Sequence, residues 1–219
     1  MRGKFVTFEG GDGVGKSTQA SLLERALRDL GEKVYLTREP GGNELCEQIR
    51  ELLKVSPKMD RTCCLLLLFA ARREHFVKTI SPLLERGYFV ICDRFYDSSL
   101  VYQGVLEGIP IENILELKRM TLGDFEPDLT LVLDMKAELS VYRLRGRHLI
   151  QDEYDAMNVE EHGRLREGFR KIADTFSFRA VLIDAEGTKE AVHSRIFAAV
   201  EKKFSLGATG SKLCAGGCR

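Results

Sequence analysis

The segment "GGDGVGKST", residues 10–18, constrains the possible folds more than any other part of the chain. It matches the pattern G-x-x-x-x-G-K-[ST], and it stands between a strand-like segment, residues 4–8, and leucines at helical spacing. Glycines let the backbone turn tightly and bring its N–H groups near phosphate oxygens, and the start of a helix adds a positive end. This context predicts a strand, a nucleotide-binding loop and a helix in direct succession.

The side chains of this loop fit the binding of a nucleoside triphosphate. Lys16 supplies a positive charge for the β- and γ-phosphates, and the Ser17 hydroxyl is a ligand for Mg²⁺. Phosphate binding does not require Asp12, which is either a solvated loop acid or a group that faces a substrate hydroxyl or the metal shell. The residues predicted to bind ATP are Gly10, Gly11, Asp12, Gly13, Val14, Gly15, Lys16, Ser17 and Thr18.

Strand-like apolar segments alternate along the chain with segments of helical spacing. The strand candidates are residues 4–8, 33–37, 88–92, 129–135 and 179–185. This alternation predicts an α/β fold, a parallel and doubly wound sheet with helices on both faces. Ligands bind outside the carboxyl ends of the strands in such sheets, so the chemistry is expected just after each strand.

Local signals predict several helix boundaries. Asn43 and Asp60 are expected N-caps, and Gly31 is expected to end the first helix. A helix is expected around residues 111–122, and the long helix that starts at Asp60 is expected to kink near Pro82.

Length and composition limit the class of protein. The 219 residues suit one domain, residues 1–204, followed by a Gly-rich tail, residues 205–219, that is expected to be disordered. A formal net charge of +0 argues against a nucleic-acid partner. The longest apolar run, residues 63–71, is about half of the roughly 20 residues that span a bilayer, so no membrane partner is expected. Cysteines within helical and strand-like segments indicate reduced thiols and a cytoplasmic protein.

Three charged residues, Arg38, Asp93 and Arg94, fall at the predicted ligand-binding edge of the sheet. Arginine suits bidentate contact with phosphate, so two arginines beside a triphosphate loop suggest a second phosphate. Asp93 and Asp134 both end apolar strands and are alternatives for the metal ligand. Asp93 is favoured because it precedes Arg94, whereas Asp134 can instead cap the next helix.

Two further segments each allow two interpretations. Phe69 and Arg72 share a helix face, where they either bind a base or form an ordinary pair of a core and a surface residue. Residues 143–148 carry four basic residues in six. They form either a solvated basic face or part of a mobile lid, about residues 143–153, whose arginine reaches the transferring phosphoryl group.

From about residue 4 to residue 204 the chain resembles the bacterial thymidylate kinases. The segments that carry the resemblance are, in order, "EGGDGVGKST", "TREPGG", "FAARREH", "CDRFYDSSLVYQG" and "LGDFEPDLTLVLD". The phosphate loop alone indicates a P-loop NTPase, whereas "TREPGG" together with the "DRF…YQG" segment is specific to this family.

The resemblance implies a fold and an activity. The implied fold is the three-layer P-loop NTPase fold with five parallel strands in the order 2-3-1-4-5 and a small lid. The implied reaction is transfer of the ATP γ-phosphoryl group to dTMP with Mg²⁺, which gives dTDP for dTTP synthesis. ATP and dTMP are then the substrates, and the protein is expected to be a homodimer.

The resemblance also implies roles for individual residues. Arg94 would hold the dTMP phosphate with support from Arg38, Arg72 would reach the thymine carbonyl, and Asp12 would meet the deoxyribose 3′-OH. The implied catalytic residues are Lys16, Asp93, Arg94 and a lid arginine, with Arg147 preferred over Arg145 and Arg143. The implied substrate-binding residues are Asp12, Arg38, Pro40, Phe69, Arg72, Arg94, Ser99, Tyr102 and Gln103, and the implied metal-binding residues are Ser17, Asp93 and Asp12.

The sequence departs from the family pattern at one position and specifies a subtype at another. The stacking phenylalanine of the family lies four residues before the base-reading arginine, which is the position of Leu68 here, and Phe69 is one position away. Family members with a glycine after the loop acid, here Gly13, take the catalytic arginine from the lid.

Two other functions share parts of these patterns. Another nucleotide or nucleoside kinase of the same fold would share the loop but not "TREPGG" and "YQG". A P-loop switch protein would need a guanine-reading N-K-x-D motif, which the sequence lacks.

Overall fold

Five parallel strands form a sheet at the centre of the molecule. The computed structural model describes residues 2–56, 58–146 and 157–206. The strands are β1 (Lys4–Glu9), β2 (Val34–Arg38), β3 (Phe89–Asp93), β4 (Leu129–Asp134) and β5 (Ala180–Asp184). Their order is β2-β3-β1-β4-β5, with all neighbours parallel. The five predicted strands and the order implied by the resemblance are confirmed.

Helices connect the strands on both faces of the sheet. The described residues form nine α-helices: α1 (Lys16–Asp29), α2 (Glu44–Val55), α3 (Arg61–His75), α4 (Ser81–Glu85), α5 (Tyr96–Ser99), α6 (Ile111–Leu122), α7 (Ala137–Gly146), α8 (Val159–Thr175) and α9 (Lys189–Phe204). A π-helical segment, Phe76–Ile80, joins α3 to α4, and a second, Leu100–Leu106, continues α5.

Capping side chains start the helices where the sequence predicts. Asn43 accepts a hydrogen bond from the Cys46 backbone N–H at 3.0 Å, and Asp60 accepts one from the Cys63 N–H at 3.0 Å. Gly31 follows Leu30, the C-cap of α1, with a positive φ of 85°, as expected of a residue that ends a helix.

The structure corrects two expectations about helices. The irregularity expected at Pro82 lies just upstream, in the π-helical segment, and Pro82 stands in the first turn of α4, where its missing N–H costs no hydrogen bond. The helical region that follows β3, α5 with its π-helical continuation, was not predicted, because its buried residues include polar ones such as Asp97, Ser99 and Gln103.

Apolar layers cover both faces of the sheet. One layer contains Phe5 of β1 with Leu65, Ile114 and Leu165 from α3, α6 and α8. The other contains Val6 and Phe8 of β1 together with residues from α1 and α9. Burial on both faces explains why the strands read as nearly continuous apolar runs.

A row of small side chains crosses four strands in register. Thr37 of β2 lies beside Cys92 of β3, Cys92 beside Thr7 of β1, and Thr7 beside Thr130 of β4. The hydroxyls of Thr7 and Thr130 are 2.8 Å apart and hydrogen-bonded, and both residues are fully buried. We call these four residues the threonine row.

The described residues end at residue 206, the second residue of the predicted tail. Helix α9 ends at Phe204, and Leu206 packs against the second apolar layer. The rest of the predicted tail lies outside the described residues. Within the described ranges, no helix combines the length and the apolar character needed to cross a bilayer.

Candidate active site

The phosphate-binding loop lies where the sequence predicts it, between β1 and α1. Gly15 takes a left-handed φ of 100° at the N-cap, and Lys16 begins the helix. The Lys16 ammonium donates a hydrogen bond to the Gly11 carbonyl at 2.7 Å and lies 3.9 Å from the Asp12 carboxylate. The Lys16 ammonium thus lies against the backbone of the glycine loop, as expected for a phosphate-binding loop.

Arg94 reaches from the end of β3 across to this loop. Its backbone has a positive φ of 71°, which is uncommon for a residue with a side chain. Its guanidinium forms an ion pair with the Asp12 carboxylate, and it donates to the Tyr102 hydroxyl at 3.1 Å and the Gly10 carbonyl at 3.3 Å. Arg94, which is expected to hold a second phosphate, is thus bound through Asp12 and Gly10 to the loop that is expected to hold the triphosphate.

Three neighbouring groups, Arg94, Lys16 and Tyr102, favour the ionised form of Asp12. Burial alone would raise its pKa, but the charges of Arg94 and Lys16 and a hydrogen bond from Tyr102 at 2.7 Å hold the pKa of that carboxyl well below its usual range. Burial and the nearby Arg94 lower the pKa of Lys16 to about 8. Asp12 therefore remains an anion between two cations at neutral pH.

Ser17 and Asp93 meet at the metal-binding position that the sequence predicts. The Ser17 hydroxyl donates to the Asp93 Oδ2 at 2.5 Å. The Asp93 Oδ1 is buried and has no hydrogen-bond partner among the described residues. A hydroxyl next to an unpartnered carboxylate oxygen fits a hard divalent cation. Both oxygens of Asp12 are already bound, so this geometry favours Ser17 and Asp93 over Asp12 as ligands.

Asp134, the alternative metal ligand, is occupied by two arginines. Its carboxylate accepts hydrogen bonds from Arg166 at 2.7 and 2.9 Å and from Arg170 at 2.8 Å. The hydrogen bond and charge of Arg166, aided by Arg170, lower its pKa. The preference for Asp93 therefore has a physical reason.

Arg72 is buried in the groove between α3 and the segment after β3. It donates to the Ser99 hydroxyl at 3.2 Å and the Phe95 carbonyl at 3.3 Å, and its guanidinium lies 4.6 Å from the centre of the Phe69 ring. Phe69 is only 1% exposed and belongs to the first apolar layer, and its contact with a base stays a prediction. Leu68 is partly exposed, in agreement with its position in the family pattern.

The remaining expected substrate residues lie around this groove with other contacts. Arg38 is half exposed and forms a bidentate ion pair with Glu47, with both distances 3.0 Å. Pro40 follows a cis peptide bond, and its carbonyl accepts from Arg50 at 2.9 Å. Gln103 is buried. Their roles toward a substrate stay predictions.

Helix α7 packs directly against the phosphate loop. A Cβ atom at Gly13 would lie 2.5 Å from the Ser140 carbonyl oxygen and 3.0 Å from the Leu144 side chain. Arg143 and Arg145 lie in the last turn of this helix. The chain thus enters the predicted lid beside the loop, whereas Arg147 and residues 147–153 of the lid lie outside the described residues.

Three residues that the sequence did not single out as site residues contact those that it did. Glu9 is fully buried and accepts hydrogen bonds from the Phe95 N–H at 2.7 Å and the Ser98 hydroxyl at 2.6 Å. The Ser98 hydroxyl also accepts from Arg94 at 3.2 Å. Glu39 accepts from Arg72 at 2.6 Å. Glu9 ends β1 and Glu39 directly follows β2, which was the available signal, whereas Ser98 lies within α5.

The fold and this site define a class of protein. A glycine loop between the central strand and a helix, a loop lysine, a paired hydroxyl and carboxylate, and a second arginine cluster are the features of a P-loop NTPase that acts on two phosphorylated substrates. The class is that of the P-loop nucleotide kinases.

Comparison with known proteins identifies the family within this class. A family model described as thymidylate kinase matches residues 8–196. The thymidylate kinase of Caldicellulosiruptor saccharolyticus is 42% identical over 200 residues, which cover 90% of this chain and 95% of that one. The thymidylate kinase of Geobacillus sp. is 40% identical over 206 residues, or 91% and 97% of the two chains. The chain belongs to the thymidylate kinase family.

A solved structure agrees with this assignment. The crystal structure of thymidylate kinase from Ehrlichia chaffeensis superposes with a TM-score of 0.74 at 36% identity, covering 92% of this chain and 99% of that chain.

Proposed function

We propose that the protein transfers the γ-phosphoryl group of ATP to dTMP with the help of Mg²⁺, giving dTDP for dTTP synthesis. Membership in the thymidylate kinase family supports this reaction. The observation that carries the proposal is the joint placement of Lys16 and Arg94 around Asp12, because it brings the cations for two phosphorylated substrates into one site.

The residues of the chain would act mainly by positioning and by neutralising charge. Lys16 and the loop N–H groups bind the triphosphate, and Arg94 binds the acceptor phosphate and keeps it near the loop. A phosphate monoester is already ionised at neutral pH, so its oxygen can attack without a general base. A lid arginine, Arg147, Arg145 or Arg143, would add positive charge at the transferring group.

Ser17 and Asp93 are the residues that would hold Mg²⁺. The bound ion would neutralise charge on the triphosphate oxygens. The unpartnered Asp93 Oδ1 is the observation that supports this pair.

The remaining aspects of the proposal concern the chain as a whole. We place residues 1–204 in one kinase domain with a lid at about residues 143–153, and we place the protein in the cytoplasm. A homodimer would cover exposed apolar side chains on the neighbouring helices α2, α3 and α6, which include Leu45, Leu52, Leu66 and Leu115.

The test is ATP consumption with Mg²⁺ against a panel of nucleoside monophosphates. We expect turnover with dTMP and far less with purine monophosphates. A stronger reaction with another monophosphate would assign the chain to a different nucleotide kinase. Stoichiometric nucleotide binding without turnover of any monophosphate would contradict kinase activity and favour a switch protein.

A further inference from the structure

A chain of four polar side chains leads from the sheet to the guanidinium in the substrate groove. The Thr37 hydroxyl lies 2.8 Å from the His75 Nε2, and the His75 Nδ1 lies 3.1 Å from the Glu39 Oε1. The other oxygen of Glu39 accepts from the Arg72 Nε at 2.6 Å. All four residues are buried, between 0% and 8% exposed. We call them the Thr37–Arg72 chain.

The hydrogen bonds of this chain are consistent with only one direction when His75 is neutral. Arginine has only donors, so Glu39 must accept from Arg72. An ionised Glu39 also accepts at its second oxygen, which places the His75 proton on Nδ1. The His75 Nε2 is then an acceptor, and the Thr37 hydroxyl donates to it. Each polar group along the chain thereby has a partner.

The backbone of the "TREPGG" segment closes against this chain. Gly42 has a positive φ of 92°, and a Cβ atom there would lie 2.4 Å from the His75 Nε2 and 2.6 Å from the Thr37 hydroxyl. The Gly42 backbone therefore packs closely against the His75 ring and the Thr37 hydroxyl. This close packing and the hydrogen bonds along the four buried side chains favour one arrangement of them.

The same residues do not make a metal site. The ligand atoms of Glu39, His75 and Cys92 lie within 4.8 Å of one another. However, the Arg72 guanidinium already neutralises Glu39, and burial with nearby Glu39 and Asp93 raises the pKa of the Cys92 thiol well above its usual range. A cation would have to displace an arginine and bind a protonated thiol.

The Thr37–Arg72 chain holds the guanidinium of Arg72 in one orientation and leaves some of its N–H donors available. Of its five N–H groups, Nε–H binds Glu39, and the two terminal nitrogens each donate one bond, to Ser99 and Phe95. Each terminal nitrogen retains one further N–H. Because Glu39 fixes Nε and the Phe69 ring lies under the guanidinium plane, these N–H groups cannot change direction without breaking the 2.6 Å ion pair.

We propose that His75 and Thr37 are positioning residues for base selectivity, which act through Glu39 to hold Arg72 as a donor toward the 4-oxygen of a pyrimidine base. This inference rests on the proposed function. Thymine and uracil carry a carbonyl at position 4, whereas cytosine carries an amino group, which is itself a donor. An Arg72 donor held in one orientation therefore binds thymine and uracil and disfavours cytosine. An Arg72 that can reorient disfavours cytosine less.

The first test compares Thr37→Val with Thr7→Val. Both threonines are buried in the threonine row on either side of Cys92, and each makes a side-chain hydrogen bond of 2.8 Å. Only Thr37 leads to Arg72. We expect Thr37→Val to raise the KM for dTMP and for dUMP about tenfold with kcat nearly unchanged, and to lower the preference for dTMP over dCMP about tenfold. Thr7→Val should leave these values unchanged.

The second test compares two variants of His75. His75→Asn retains a donor near the position of Nδ1 and should keep most of the preference over dCMP. His75→Leu removes both nitrogens and should lose it, with dTMP and dUMP affected in parallel because both carry the 4-oxygen. Melting temperatures of all variants show whether a change in selectivity merely follows a loss of folding.

The outcomes separate this inference from the proposed function. Wild-type turnover of dTMP with equal selectivity in Thr37→Val and Thr7→Val would overturn the inference alone. A KM increase of the same size for dTMP and dCMP would also overturn it, because that is the result of a general structural loss. No dTMP turnover by the wild-type protein would overturn the proposed function and this inference with it.

Discussion

Arg94 combines an unusual backbone with the densest set of polar contacts at the site. Its positive φ directs the side chain from the end of β3 toward the phosphate loop, and its guanidinium lies 4.9 Å from the centre of the Tyr102 ring. Residues in sparsely populated backbone regions concentrate at functional sites, where neighbouring contacts maintain them. Asp12, the neutralising partner of Arg94, sits in the loop itself, which makes the arginine part of the nucleotide site.

The first prediction concerns this arginine. Arg94→Ala should lower kcat/KM for dTMP about a thousandfold, because it would remove the contact proposed for the acceptor phosphate, while binding of an ATP analogue stays within a few-fold of the wild type. Arg94→Lys should fall in between, since a lysine cannot bind Asp12 and a phosphate in a fork. Steady-state kinetics and calorimetric titration measure the two effects. Normal turnover by Arg94→Ala would contradict the role.

The second prediction concerns the buried carboxyl of Glu9. Burial and the neighbouring Asp97 raise its pKa from 4.5 to about 8, so the folded protein holds a proton that the unfolded chain releases. Folded-state stability should therefore fall as the pH rises from about 4.5 to about 8. Glu9→Gln keeps a neutral group there and should remove that loss, so its stability should depend less on pH over this range than that of the wild type.

Urea unfolding at about pH 5.5 and about pH 8.5 tests the Glu9 prediction. Glu116→Gln is the control, because Glu116 is a largely exposed carboxyl on α6. A pH slope in Glu9→Gln equal to that of the wild type would refute the assigned titration.

At the residue scale, the sequence was sufficient to predict which side chains lie close together when both the position in the fold and the residue type indicated it. Ser17, Asp93 and Arg94 follow strand ends and have the right chemistry, and the structure brings them together. Glu39 and His75 were not assigned to the site, because their role arises from pairing across the fold. Glu39 lies 33 residues from Arg72 and 36 from His75 along the chain, and no local pattern encodes such pairs.

At the scale of elements, the contact between α7 and the phosphate loop fixes the position of the helix that precedes the proposed lid. Gly13 has a φ of 79°, and it allows the α7 backbone to approach where any side chain would meet Ser140. The carboxyl-terminal turn of α7, with Arg143 and Arg145, is thereby attached to the loop. A glycine at this position gives a physical reason for an arginine supplied from the lid.

The third prediction concerns this contact. Gly13→Ala should lower kcat/KM about tenfold or more and destabilise the fold by about 1–3 kcal/mol, because it combines a positive φ with a clash against backbone. Gly163→Ala is the matched control: Gly163 lies within α8 with no atom within 4 Å of its Cβ position. It should leave activity unchanged and add about 0.5–1 kcal/mol of stability. Kinetics and thermal unfolding measure both, and equal behaviour of the two variants would refute the role of Gly13.

Secondary structure was predictable where the apolar residues had a regular helical or strand spacing, or where a capping residue was present. The helix at 111–122 and the caps Asn43 and Asp60 follow from local chemistry, and the structure confirms them. The two π-helical segments were missed, because an additional residue in one helical turn leaves no regular apolar spacing. The second of these segments carries Tyr102 and Gln103, which places substrate-groove residues on the least periodic helix.

At the scale of the whole molecule, three neighbouring helices expose apolar side chains. The outer surface of α2, α3 and α6 exposes leucines, and α3 contacts both of its neighbours. Exposed apolar side chains on adjacent helices are typical of an interface. The proposed homodimer would bury them.

The fourth prediction tests that interface. Leu66→Glu, on the central helix α3, should convert the proposed dimer to a monomer in light scattering coupled to size exclusion. Leu30→Glu is the control, because Leu30 is about as exposed, 54% against 50%, but ends α1 on the other side of the sheet. A wild-type protein that elutes as a monomer, or equal masses for the two variants, would refute the interface.

The threonine row also bears on how the chain reaches a unique fold. Strands with apolar residues on both faces can shift past each other by two residues and still bury the same kind of surface, so hydrophobicity hardly specifies their alignment. Such a shift would separate the Thr7 and Thr130 hydroxyls and take Thr130 away from Arg179, its 2.7 Å donor. A misaligned sheet would therefore leave the buried hydroxyls of Thr7 and Thr130 without hydrogen-bond partners. The hydrogen bonds of the two hydroxyls therefore favour the native strand register over alignments that the apolar residues alone would tolerate.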